Sequence, residues 1–151
     1  MVHDTLVSEI MTRSLITIEP NTILDAVNQL FAQHDFHHLP VVENGKFMGI
    51  LSRTDIDRVS SNIDLFHTKA NELANEKIFK SLVASEVMTA KAVVLAPNDF
   101  LSYAATLFAE NKYHALPVVE GDKLVGLITT FDLIEHAYET KPKQEPILLP
   151  Q

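Results

Sequence analysis

Apolar positions along this chain switch between two spacings, and the switch happens twice. Leu15-Ile16-Thr17-Ile18 is a short β-branched run that predicts a strand. Glu19-Pro20-Asn21 ends it. Thr22, with Asp25 three residues on, has the pattern of a helix N-cap. Ile23, Ala26, Val27, Leu30 and Phe31 follow at helical spacing and give one apolar face. Leu39-Pro40-Val41-Val42 and Phe47-Met48-Gly49-Ile50-Leu51 read as two strands. Between them, Asn44-Gly45 is a strong hairpin signal. A further helix starts near Thr54, so the unit is β-α-β-β-α.

The second passage repeats the first at a constant spacing of 77 residues: Pro20 and Pro97, Gly49 and Gly126, Asp55 and Asp132. Ala92 to Leu95 is its strand. Asp99 is placed to cap a helix carrying Leu101, Ala104, Ala105 and Phe108, and a hairpin turns at Gly121-Asp122. One such unit is too small to bury both faces of its sheet, so the copies should pack on each other about a pseudo-twofold axis. The expected class is α/β of the α+β type. The boundaries are repeat 1 at 5–61, an inserted helical segment at 62–81, repeat 2 at 82–138 and a flexible tail at 139–151. Across the insertion, Val59, Ile63, Phe66, Ala70 and Leu73 form a stripe that Ile78, Phe79 and Leu82 extend. It packs on its own domain or on a second protomer. In the tail, Ile147-Leu148-Leu149 stands among three prolines.

Composition narrows the function. The chain has 151 residues and a net charge of −8. That argues against a nucleic-acid or anionic-membrane surface, which needs clustered Lys and Arg. No apolar run approaches the roughly 18 residues of a membrane span, and the N-terminus lacks a signal-peptide pattern. Cysteine is absent, which excludes disulfides and thiolate zinc sites. Cytoplasm is the default compartment. No nucleophile elbow, phosphate loop or zinc-protease signature occurs, so no enzymatic activity is expected.

The candidate chemistry sits at two strand-to-helix junctions, Ser52-x-x-Asp55 and Thr129-x-x-Asp132. A helix N-terminus offers free N–H groups and partial positive charge to a phosphate. A carboxylate there can accept hydrogen bonds from both hydroxyls of a ribose. Gly49 and Gly126 would let a ligand approach the backbone. The alternative is structural, because Ser or Thr followed by Asp caps any helix. His34, His37 and His38 cluster in sequence, but His37 and His114 are equivalent positions, which suits a structural or ligand-facing role better than a metal site. Phe36 and Tyr113 are equivalent core fillers.

In these residues the chain resembles a tandem pair of CBS domains, the modules named after cystathionine β-synthase. The carrying features are Met11-Thr12 and Met88-Thr89, the Leu-Pro-Val-Val strands and the doubled Gly-φ-φ-[Ser/Thr]-x-x-Asp, φ being apolar. The resemblance implies a disc-shaped pair with two clefts for an adenosine-type ligand: AMP, ADP, ATP or S-adenosylmethionine. It implies Asp55 and Asp132 as ribose acceptors, and Ser52, Arg53, Thr54, Thr129 and Thr130 on the phosphate side. It implies an adenine wrap from Leu15, Ile16 and Thr17 with His38, Leu39 and Pro40. The second-copy counterparts are Ala92, Val93 and Val94 with Ala115, Leu116 and Pro117. The copies differ where a phosphate would sit: Arg53 and His38 face Thr130 and Ala115. Arg grips phosphate bidentately, so the cleft around Asp55 is expected to prefer the more phosphorylated ligand. The implied role is a regulatory sensor with no obligatory cofactor, homodimeric, read by a regulated partner protein. A non-catalytic interaction scaffold is the alternative.

Overall fold

A computed structural model describes residues 5–61, 69–110 and 112–138. Each repeat contributes one hairpin. In the first, β1 (His38–Glu43) pairs antiparallel with β2 (Lys46–Ser52); in the second, β3 (Ala115–Glu120) pairs with β4 (Lys123–Thr129). Asn44 (φ 52°) and Gly45 (φ 80°) make the first turn left-handed, the two-residue geometry that suits strand twist. The hairpins meet at their tips through Lys46 and Lys123, giving the sheet order β1-β2-β4-β3. The helices are α1 (Val7–Ile10), α2 (Leu24–Gln33), α3 (Arg53–Ser61), α4 (Lys69–Ser81), α5 (Ala84–Val87), α6 (Leu101–Ala109) and α7 (Thr130–Ala137).

The first strand of each unit is shorter than its β-branched run predicts. Ile18 makes a single parallel bridge to Val41, and Leu95 makes one to Val118. Ile18 N–H donates to Pro40 O at 3.0 Å, and Val42 N–H donates to Ile18 O at 2.8 Å. Extending this ladder one step either way needs an N–H from Pro40 or Pro20. Proline has none, so the strand stops at one residue. Pro117 and Pro97 do the same in the second copy.

The caps also move by one residue. The N-cap positions of α2 and α6 are Ile23 and Phe100, not Thr22 and Asp99. Thr22 Oγ1 instead accepts from Glu19 N–H (3.1 Å), and Asp99 Oδ2 accepts from Ala96 N–H (2.7 Å), which closes the turn before each helix. The leading helical N–H groups go to distant backbone: Leu24 N–H to Leu82 O and Leu101 N–H to Thr5 O. Tertiary carbonyls thus replace a side-chain cap.

Two cores result, and the chain crosses between them. Leu24, Val27, Phe31, Leu39, Val41 and Leu51 form one; Leu95, Leu101, Ala104, Leu116, Val118 and Ile128 form the other. Val7 and Met11, from the start of repeat 1, lie in the second core. Ala84, with Val87 and Met88, lies in or against the first. Met88 fills the space over Gly49, where a Cβ would stand 2.7 Å from its sulfur. Met11 does the same over Gly126. These glycines therefore admit a methionine of the other repeat rather than a ligand.

In the insertion, Phe79 is buried, and Leu82 packs against the first core. Ala70 and Leu73 on α4 are exposed. Ile63, Phe66 and the Ile147-Leu148-Leu149 segment lie outside the described residues. Among the described residues no helix is long and apolar enough to cross a membrane.

Candidate functional site

Both strand-to-helix junctions form reciprocal caps. Ser52 N–H donates to Asp55 Oδ2 at 2.8 Å, and Asp55 N–H donates to Ser52 Oγ at 3.1 Å. Thr129 N–H donates to Asp132 Oδ2 at 2.8 Å, and Asp132 N–H donates to Thr129 Oγ1 at 3.2 Å. The structural role is thus real in both copies and occupies one oxygen of each carboxylate. The other oxygens differ. Asp55 Oδ1 stands 3.8 Å from Arg58 Nη1. Asp132 Oδ1 takes a 3.5 Å contact from Thr12 Oγ1 of the other repeat.

Crossing segments set what surrounds each carboxylate. Thr89 pairs with Ile50 and Leu95 with Val118, so residues 89–95 run from the first hairpin to the second. Thr12 pairs with Leu127 and Ile18 with Val41, so residues 12–18 run the opposite way. The clefts are therefore mixed between repeats.

Asp55 borders a cavity of about 1060 Å³. Ser52, Arg53, Thr54, His37 and His38 of repeat 1 line it with Ala92, Val93, His114, Ala115, Pro117, Thr129 and Thr130 of repeat 2. Six expected residues lie elsewhere. Pro40 is buried under the sheet, Ile16 and Val94 point outward at about two-fifths exposure, and Leu15 and Thr17 do not reach the cavity. Asp132 lines a separate recess of about 270 Å³ with Glu9, Ile10, Glu135 and His136. The carboxylate of repeat 1 thus meets the apolar wrap of repeat 2, and grouping site residues by copy is corrected to grouping by cleft.

Arg53 is corrected as a phosphate grip. Its Nε donates to Phe36 O at 2.8 Å, and its Nη2 donates to Phe31 O at 2.5 Å and to His34 O. The guanidinium also lies 5.2 Å from the Phe31 ring centroid. It closes the end of α2, where carbonyls lack partners. The difference between Arg53 and Thr130 is therefore architectural. His38 is also not a fixed cation. Burial, then the nearby His37 and His114, push it down from the usual 6.5 to about 4, against a smaller upward pull from Asp55. Near neutrality its imidazole is uncharged and offers one donor and one acceptor.

The cavity's cations are instead Arg58, Lys91 and Lys112. Arg58 was within reach of sequence reasoning, because it lies three residues after Asp55 on one helix face. Lys91 directly precedes the predicted wrap. Phe36 and Tyr113 pack beside the two cores as expected, and they also line the cavity together with Phe131. Hydroxyls, a carboxylate, cations and apolar walls in one enclosure complement a molecule with an apolar ring, a diol and an anionic group.

Comparisons with known proteins fit this geometry. The CBS domain family matches twice, at residues 7–62 and 84–139. The CBS domain-containing protein YhcV of Bacillus subtilis is 31% identical over 127 residues, covering 84% of this chain and 81% of its own. CBSX2 of Arabidopsis thaliana, solved in complex with AMP, superposes with a TM-score of 0.73 at 25% identity, over 89% of this chain and 96% of its own. The CBS domain pair of protein MJ0100, solved with 5′-methylthioadenosine and S-adenosyl-L-methionine, has the same fold (TM-score 0.71, 23% identity, 92% and 100% covered).

Proposed function

This chain belongs to the CBS-domain family as a tandem pair, and on that premise we propose that it is a regulatory module sensing an adenine nucleotide or adenosyl compound. The single observation that carries this reading is the cavity beside Asp55, which joins the diol acceptor, the apolar wrap and three cations. CBSX2, of similar structure, was solved with AMP. AMP, ADP, ATP and S-adenosylmethionine are the ligands to screen. Asp55 accepts from the ribose; Ser52, Thr54 and Arg58 face the phosphate; Ala92, Val93, Ala115 and Pro117 flank the base. Binding draws the repeats into one arrangement that a regulated partner reads, by as much as the ligand's affinities for the two states differ. The module acts in the cytoplasm and catalyses no reaction.

The test is thermal shift with those four compounds. A ligand binding only the folded state at about 100 times its Kd adds roughly 2.7 kcal/mol. No shift with any of them overturns the sensor reading in favour of an interaction scaffold. One observation favours self-association in either case. Phe131, Ile134 and Tyr138 are exposed along α7, where repeat 1 has Thr54 and Asp57 at the first two positions. We propose a homodimer, which light scattering tests; a monomer at high concentration removes it.

A further inference from the structure

Three imidazoles converge in the large cavity, and they come from both repeats. His37 and His114 hold equivalent positions on either side of the pseudo-twofold, and both line the cavity. His38 lies between them, close enough to feel both as well as Asp55. Its counterpart is Ala115, so the arrangement is three histidines around one centre rather than two symmetric pairs. The backbone fixes their approach: Arg53 N–H donates to His37 O at 3.0 Å, and Thr130 N–H donates to His114 O at 3.4 Å. The start of each motif helix thereby holds one histidine at the junction.

We propose that His37, His38 and His114 form one anion subsite shared by the two repeats, and that a phosphorylated adenosyl ligand binds there with uptake of protons by these imidazoles. The inference rests on the sensor reading and adds to it a proton-linked step.

Without ligand, proton binding at this centre is self-limiting. A proton on one imidazole raises the cost of a proton on the next, and burial of His38 adds to that cost. The charged groups around the centre come from every adjoining element. Asp35 precedes β1, Asp55 and Arg58 lie on α3, Arg53 begins it, Lys91 lies on the crossing segment, and Lys112 and Tyr113 precede β3. Only two of these are carboxylates, and Asp55 already shares one oxygen with its cap. A phosphate supplies the missing negative charge. It also accepts hydrogen bonds, and a protonated imidazole offers two donors where the neutral ring offers one. By reciprocity, if phosphate raises the proton affinity of the cluster, protons raise its affinity for phosphate by the same factor.

The experiment is an NMR titration of the imidazole Cε1–H signals in the full chain, free, saturated with AMP and saturated with adenosine. AMP is expected to raise the proton affinity of His38 at least about tenfold, while adenosine leaves it unchanged. Calorimetry at pH 6 in two buffers of different ionisation heat counts the protons taken up with AMP. That number should fall in His38→Ala and in His114→Gln. His38→Ala installs the residue that repeat 2 carries at this position, so the fold has a precedent for it. The ligand's own phosphate titrates in the same range, so the difference between wild type and variants isolates the imidazoles. AMP binding that leaves the three titrations unmoved, or adenosine moving them equally, overturns the inference and leaves the sensor reading standing. Failure of every adenine compound to bind overturns both.

Discussion

The two repeats carry the same ribose-type motif and yet face unlike surroundings. Around Asp55 the enclosure is about 1060 Å³ and includes Arg58, Lys91 and Lys112. Around Asp132 it is about 270 Å³, and two more carboxylates, Glu9 and Glu135, stand beside it. The position that is Arg58 in one copy is Glu135 in the other. Thr12 leans on the Asp132 oxygen that a diol would need. Duplication preserved the cap, a local backbone requirement. It did not preserve the charges facing the cleft, which the fold does not need. A repeated motif is therefore evidence for a repeated helix start, and only its surroundings speak to a repeated site.

Four substitutions test that comparison, beginning with the largest expected effect. Arg53→Ala should destabilise the chain by about 3 kcal/mol in chemical denaturation, because it leaves three carbonyls at the end of α2 without their donor. Thr130→Ala, its counterpart, should cost under about 0.5 kcal/mol. Equal losses would return Arg53 to the role of a cleft residue like Thr130.

His38 comes next, with an effect that depends on pH. Its folded pKa is depressed to about 4 from 6.5, so its contribution is present above pH 6.5 and is lost as pH falls toward 4. With its partial exposure discounted, the loss should be about 2 kcal/mol across that window. His38→Ala should flatten this part of the stability profile, and an unchanged slope would refute the assignment.

Asp55→Ala should weaken AMP binding at least about tenfold, against less than about twofold for Asp132→Ala. Both should lose a similar cap contribution, about 1 kcal/mol of stability. Calorimetry and denaturation on the same pair therefore separate binding from capping. Equal losses of affinity would mean two equivalent clefts.

The smallest effect concerns the glycines under the methionines. A Cβ at Gly49 meets the Thr89 carbonyl at 2.8 Å as well as Met88, whereas at Gly126 the nearest atoms all belong to Met11's side chain. Gly49→Ala should therefore cost about 1 kcal/mol more than Gly126→Ala, since a backbone oxygen cannot swing away.

Much of this was legible from periodicity. The Asn-Gly turn, the paired hairpin strands and the doubled offset follow from local rules that the fold obeys. The first strand was misjudged because β-branching at Leu15 to Ile18 was read without the prolines on both sides of the ladder. The caps shifted because Thr22 and Asp99 had turns to close, while distant carbonyls served the helix N–H groups. Arg53 shows the deeper limit. An arginine beside a ligand-type motif looks like an anion grip, and only the position of α2's last carbonyls reveals the competing use. That seventeen Pro40-to-Asp132-type positions align says nothing of which carboxylate meets which wrap, because the crossing of residues 12–18 and 89–95 is a tertiary fact.

That crossing has a consequence for the chain as an object that can be cut. Val7 and Met11 stop the far core, while Ala84 and Met88 stop the near one. A cleavage between residues 61 and 69 would leave two fragments, each holding the plug for a hole in the other. Neither is a self-sufficient half, and the two should regain structure only when mixed.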